Sequence, residues 1–195
     1  ADGGAGSASQ FESQAQRFIA NGYPRSHLAT YEYDTNPPDF TRTTQEPDAA
    51  IDRLRASTGF DQVNLMGHSM GTEVSRIYLA DPARAAKIAA YVNFDGRGGD
   101  EPPGGVPNLV MWGQYVTQEV TGATNVYPNP EDPIGHIEVA TAASSFARVY
   151  AFFNGQAPAT TSISEAAGED VWIAGRANLF PANSGAVGTI LEITE

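Results

Sequence analysis

Phe11, Ala15, Phe18 and Ile19 recur at i, i+4, i+7 and i+8, a spacing that lines one face of an α-helix. Gly22, just beyond, supplies the stop. The period then changes. His27 to Tyr33, HLATYEY, reads as a strand, and DTNPPDFTRTT after it reads as a loop. Ile51 and Leu54 mark a second helix over roughly 48–57, stopped near Gly59. QVNLM at 62–66 is the next strand. Val74, Ile77 and Tyr78 give a third helical face. Asp81-Pro82 closes that helix and opens another, with Asp as N-cap and Pro at the first helical position. IAAYVNF at 88–94, NLVMW at 108–112 and TNVY at 124–127 read as strands. A last helix carries Val139, Ala143, Phe146, Val149, Tyr150 and Phe153 and ends at Asn154-Gly155.

Strands alternating with helices predict an α/β fold with a mostly parallel sheet covered on both faces. Residues 1–155 form that unit. The pattern changes after Gly155: 156–168 is rich in Ala, Ser and Thr and reads as a linker. Residues 169–195 have strand-like segments split by Asn-Ser-Gly and read as a β-hairpin or the opening of a separate β domain.

The chemistry centres on VNLMGHSMGT, where an apolar strand runs into Gly67-His68-Ser69-Met70-Gly71 and straight into a helix. Flanking glycines permit a tight turn that leaves Ser69 Oγ projecting at the carboxyl edge of the sheet. Backbone N–H groups at the helix start favour a developing negative charge there. A serine hydroxyl needs a base to become a nucleophile. Of the three histidines, His68 adjoins the serine and is expected to pack beside the site, and His27 opens a strand at its far end. His136, in the loop before the last helix, can reach the same edge. The histidine in turn needs an acid. Asp95, ending YVNFD, is the choice, with Glu119 in reserve; Glu131 and Asp132 read as loop charges.

Composition narrows the function without choosing it. Hydrophobic residues make up 41% of the 195, enough for a core, and no apolar run approaches membrane-span length. There is no cysteine, which excludes disulfides, thiolate metal sites and a cysteine nucleophile. A net charge of −12 disfavours nucleic acid and anionic lipid as partners and leaves neutral or apolar substrates compatible. No His-x-x-x-His pair or carboxylate cluster stands at ligand spacing, and PNPEDP at 128–133 is a weak calcium candidate. No metal or cofactor is expected.

These residues resemble the α/β-hydrolase superfamily, and within it bacterial and archaeal lipases and esterases. The resemblance is carried by VNLMGHSMG at 63–71, YVNFDG at 91–96 and GHIEVA at 135–140. It implies a carboxylic ester hydrolase with Ser69 as nucleophile, His136 as base and Asp95 as its partner acid. The Met70 backbone N–H would be one oxyanion donor. The Gly4 N–H, in the glycine-rich start, would be the other, with Asp2 standing where the family has histidine. A neutral acyl-ester or lipid substrate would lie near His68, Phe40, Ile137 and Met70. With only a loop between Asp95 and Leu109, the site should be open unless 35–43 covers it. The tail resembles the beginning of a C-terminal β domain; a secreted protein is expected, with a cytoplasmic one the alternative, and oligomeric state is left open. An acyltransferase with the same triad and a non-catalytic hydrolase-fold binding module are the alternatives. One departure is structural: the family fold places a strand between 27–33 and 62–66, and none fits before Ala1. The sheet is therefore expected to lack N-terminal strands, either because the chain is a segment of a longer protein or because residues precede Ala1. Direct pairing of the two flanking strands is the remaining option.

Overall fold

The computed structural model describes residues 7–33, 40–164, 178–179, 184–190 and 192. Among these, four strands form one all-parallel sheet in simple sequential order: β1 (Val63–His68), β2 (Ile88–Phe94), β3 (Asn108–Met111) and β4 (Thr124–Val126). Parallel neighbours need crossovers. α3 (Met70–Leu79) and the single turn α4 (Pro82–Ala85) link β1 to β2; irregular loops make the other connections. The Asp81 side chain accepts from the Ala83 N–H at 2.8 Å, the N-cap that its pairing with Pro82 suggested.

The core lies on both faces of the sheet. Val92, Phe94, Leu109 and Met111 meet α1 (Glu12–Ala20) and α5 (Ala143–Asn154) through Phe18, Phe146 and Val149. Tyr91 and Ile88 meet Tyr78, Leu79 and Ile51 from α3 and α2 (Phe40–Thr58). Burial on both sides explains why IAAYVNF is almost continuously apolar rather than alternating. The first part of the stretch read as a linker lies along α1. Asn21 accepts from the Ala159 N–H at 2.7 Å and donates to Thr160 O at 2.8 Å, and Arg17 Nε donates to Thr161 O at 2.9 Å. Farther on, β5 (Asn178–Leu179) pairs antiparallel with β6 (Ser184–Gly185).

Three expectations need correction. His27–Tyr33 forms no strand: a 3-10 turn spans Arg25–His27, and the backbone beyond it joins no ladder. Extended backbone becomes a strand only where a partner takes its N–H and C=O groups. Among the described residues no strand pairs with this run, and a cavity of about 510 Å³, lined by Phe11, Leu28, Phe60, Val63 and Met66 among others, lies between it and β1. Direct pairing of 27–33 with β1 therefore does not occur. The second helix starts at Phe40 rather than Asp48 and runs through Pro47. A proline inside a helix removes a backbone donor and crowds the preceding turn. Packing overrides it: Thr44, one turn earlier, is buried. Residues 40–43, expected as part of a covering loop, are thus helical, and 34–39 lie outside the described residues. Finally, α5 begins at Ala143, because Glu138–Ala140 closes as a separate 3-10 turn.

Candidate active site

Parallel, sequential strands bring all their carboxyl ends to one rim, and the candidate residues hang there. Ser69 follows β1 directly and occupies the N-cap position of α3. Its backbone sits at φ 51°, ψ −121°, a conformation that L-residues avoid. A serine at an N-cap ordinarily accepts a hydrogen bond from the first helical turn, but this one makes no side-chain cap bond. The sharp bend aims the hydroxyl off the helix axis. Gly67 is required for close packing, since a Cβ there would stand 2.8 Å from Ser75 Oγ and 2.9 Å from Gly71 O. The Met70 N–H is one of the first-turn donors that no helical carbonyl can reach.

Asp95 follows β2 and also has a positive φ, 48°. Non-glycine residues in such conformations are uncommon and concentrate at functional sites; among the described residues only Ser69, Asp95 and Tyr115 show them. A side-chain clasp shapes this turn: Asn93 Oδ1 accepts from the Gly96 N–H at 2.9 Å, and Asn93 Nδ2 donates to Arg97 O at 3.2 Å. The Asp95 carboxylate, 6% exposed, has both oxygens engaged. Oδ1 accepts from the Gly113 N–H at 2.7 Å, and Oδ2 meets His136 Nδ1 at 2.5 Å. Gly113 is required to lack a side chain: a Cβ would stand 2.6 Å from Asp95 Oδ2.

His136 lies in a turn between β4 and the Glu138–Ala140 segment, its ring 48% exposed. With Nδ1 taken by Asp95, Nε2 is left for other work. No hydrogen bond joins it to Ser69 Oγ, and the hydroxyl has no other partner among the described residues. Catalytic hydrogen bonds are often long before substrate binds. Glu119, the reserve acid, contacts Thr121 and not His136. Ile137 is 62% exposed beside His136. Gly4 and the Phe40 side chain lie outside the described residues.

His68, expected as a substrate contact, is placed elsewhere. It is 1% exposed, with both ring nitrogens occupied by protein, so it is closed to substrate. Burial depresses its pKa and keeps it neutral. Sequence reasoning also missed Gln10, Asn93 and Gly113. A signal was present for two of them: Asn93 is a lone amide in an apolar strand, and Gly113 stands where that of a neighbouring strand ends.

A family model described as the α/β-hydrolase fold matches residues 31–125. The match covers 95 of the 195 residues and supports membership of the α/β-hydrolase superfamily. The matched span contains Ser69 and Asp95 and stops before His136, so the place of His136 rests on its contact with Asp95. A search of curated proteins finds no match to the chain. A hydrolase fold fits a substrate, and no helix among the described residues is long and apolar enough to cross a membrane.

Proposed function

We propose that this hydrolase-fold chain cleaves carboxylic esters through an acyl-enzyme, with Ser69, His136 and Asp95 as its triad. The observation that carries the reading is the bond between His136 Nδ1 and a buried carboxylate already held by Gly113. It leaves Nε2 as the only ring nitrogen able to take a proton. Ser69 Oγ attacks the ester carbonyl carbon while His136 Nε2 takes the hydroxyl proton. The carbonyl oxygen becomes an oxyanion facing the Met70 N–H, and Gly4 is the proposed second donor. The C–O bond to the alcohol then breaks, and His136 returns the proton to the departing alkoxide. Water repeats the sequence in reverse: His136 takes its proton, hydroxide adds to the acyl carbon, and Ser69 Oγ leaves protonated. Asp95 keeps Nδ1 protonated and stabilises the imidazolium without itself taking the proton.

A neutral acyl chain suits the negative net charge and the exposed Ile137 beside the base. Ser69→Ala tests the reading on a p-nitrophenyl ester, with fluorophosphonate labelling of the wild type beside it. Removal of a triad nucleophile lowers turnover by about 10⁶-fold in comparable enzymes. Retained turnover in Ser69→Ala, or a wild type that takes no label at Ser69, rejects it.

A further inference from the structure

His68 is buried at the end of β1 and bridges the Ala8–Phe11 turn and the segment that carries His136. Its Nε2 lies 2.8 Å from His136 O, and its Nδ1 lies 3.2 Å from Gln10 Nε2. The chemistry fixes the roles. A carbonyl oxygen only accepts, so Nε2 carries the proton; Nδ1 then holds a lone pair, which the Gln10 amide can satisfy. The two imidazoles sit side by side, centroids 4.7 Å apart. Only one of them can carry charge at that distance without repulsion, and the buried ring is the one held neutral.

The segment carrying His136 has little regular structure of its own, so its position comes from outside. The Gln114 N–H donates to Ile134 O at 2.8 Å on one side. On the other, α1 grips the downstream carbonyls: Gln14 Nε2 donates to Ala140 O at 2.9 Å, and Arg17 Nη1 to Thr141 O at 2.7 Å. Between these holds, the only hydrogen bond to the backbone of His136 itself among the described residues is the one from His68. A buried donor aimed at that carbonyl sets where the imidazole pivots. A displacement of about 1 Å in such a group can cost 10²-fold in rate.

We propose that His68 is the positioning residue of His136: a neutral, Nε2-protonated imidazole, oriented by Gln10, that pins the backbone of the base so that its Nδ1 meets Asp95. The kinetic consequence rests on the ester-hydrolase reading; the tautomers do not. The test therefore pairs a spectroscopic readout with a kinetic one. Imidazole ¹⁵N shifts, recorded at mildly alkaline pH, assign the protonated nitrogen of each ring. Wild type should show His68 protonated at Nε2 and His136 at Nδ1. In His68→Leu, His136 should average between tautomers, and its kcat on p-nitrophenyl acetate should fall more than about 10-fold while KM changes less than about 2-fold. In His68→Gln, whose amide can donate to the same carbonyl, the Nδ1–H form should return, with kcat within about 3-fold of wild type. If His68→Leu does not fold, Gln10→Leu on the partly exposed 3-10 turn at Ala8–Phe11 takes its place, with loss of the pure Nε2–H form of His68 expected. Wild-type His68 protonated at Nδ1, an unshifted His136 in folded His68→Leu, or a pure Nε2–H form of His68 retained in Gln10→Leu overturns the proposal. An inert wild type with the expected tautomers overturns only the ester-hydrolase reading.

Discussion

The two ends of the sheet hold similar polar groups and use them in opposite ways. At the amino end, before β2, Lys87 Nζ donates to Asp48 Oδ1 and to Asp52 Oδ2, both at 2.8 Å. Tyr78 OH also donates to Asp48 Oδ1 at 2.8 Å, and Arg55 Nη1 to Asp52 Oδ1 at 3.0 Å. Cation, carboxylate and hydroxyl are spent on one another, tying α2 to the start of β2. At the carboxyl end the Asp95 carboxylate is equally satisfied, but the chain of contacts stops short: His136 Nε2 and Ser69 Oγ have no partner among the described residues. Both Ser69 and Asp95 sit in strained backbone there, whereas no positive-φ residue occurs in the amino-end cluster. A carboxylate, a base and a hydroxyl hold a structure together when every capacity is filled. They can do chemistry when two atoms are left open and the backbone keeps them from closing on each other.

Substitutions at the two ends should therefore separate activity from stability. The largest effect is expected from Ser69→Ala: a loss of turnover on the order of 10⁶-fold, with the melting temperature maintained or raised because a strained polar turn loses its hydroxyl. Asp95→Asn comes next. The amide still accepts from Gly113 but cannot hold the His136 Nδ1–H as a carboxylate does, and the cost should be on the order of 10⁴-fold in kcat. Gly113→Ala places a methyl on the Asp95 carboxylate and should cost about 10²-fold by misplacing it. Steady-state kinetics beside thermal melts check all three. If Gly113→Ala lowered stability and left kcat intact, the carboxyl rim would not be built around Asp95.

Much of this rim was legible in the sequence because chain-local rules govern it. Gly67-x-Ser69-x-Gly71 between a strand and a helix specifies the turn, and each strand end in a parallel sheet points at the same rim. Gln10 and the inward turn of His68 were not legible, because their partners lie 58 and 68 residues away and no period encodes them. The run 27–33 failed for the same reason in reverse. Its β-like composition is local, but strand formation depends on a neighbour that lies across a cavity. The part of α2 before Asp48 was not legible either: it carries Pro47, which local rules keep out of helices, and the burial of Thr44 is not a local signal.

At the amino end, Tyr78→Phe should do what no change at the carboxyl rim does. It removes one donor from Asp48 and leaves Lys87 in place, so no buried charge is stranded. The loss of one net hydrogen bond is worth about 1 kcal/mol, roughly 2–4 °C in a chain of this size, with kcat unchanged. A fall in kcat without a fall in melting temperature would break the contrast between the two ends.

The smallest effect concerns pH and joins the two roles in one residue. Burial, opposed by the hydrogen bond to the His136 carbonyl and by the Asp95 charge, holds His68 below the usual imidazole range. Between its folded value and about 6.5, the unfolded chain binds a proton at this position that the folded chain does not. Acidification through that window favours the unfolded chain, so stability should fall as pH falls and be complete above about 6.5. His68→Gln has no titrating ring and should lack this component. Melting temperatures of both proteins, measured from neutral pH downward, should diverge, with the wild type falling more steeply. Parallel curves would mean that the folded chain accepts the proton as readily as the unfolded one, and a ring that does so cannot be the neutral tether that holds the carbonyl of His136.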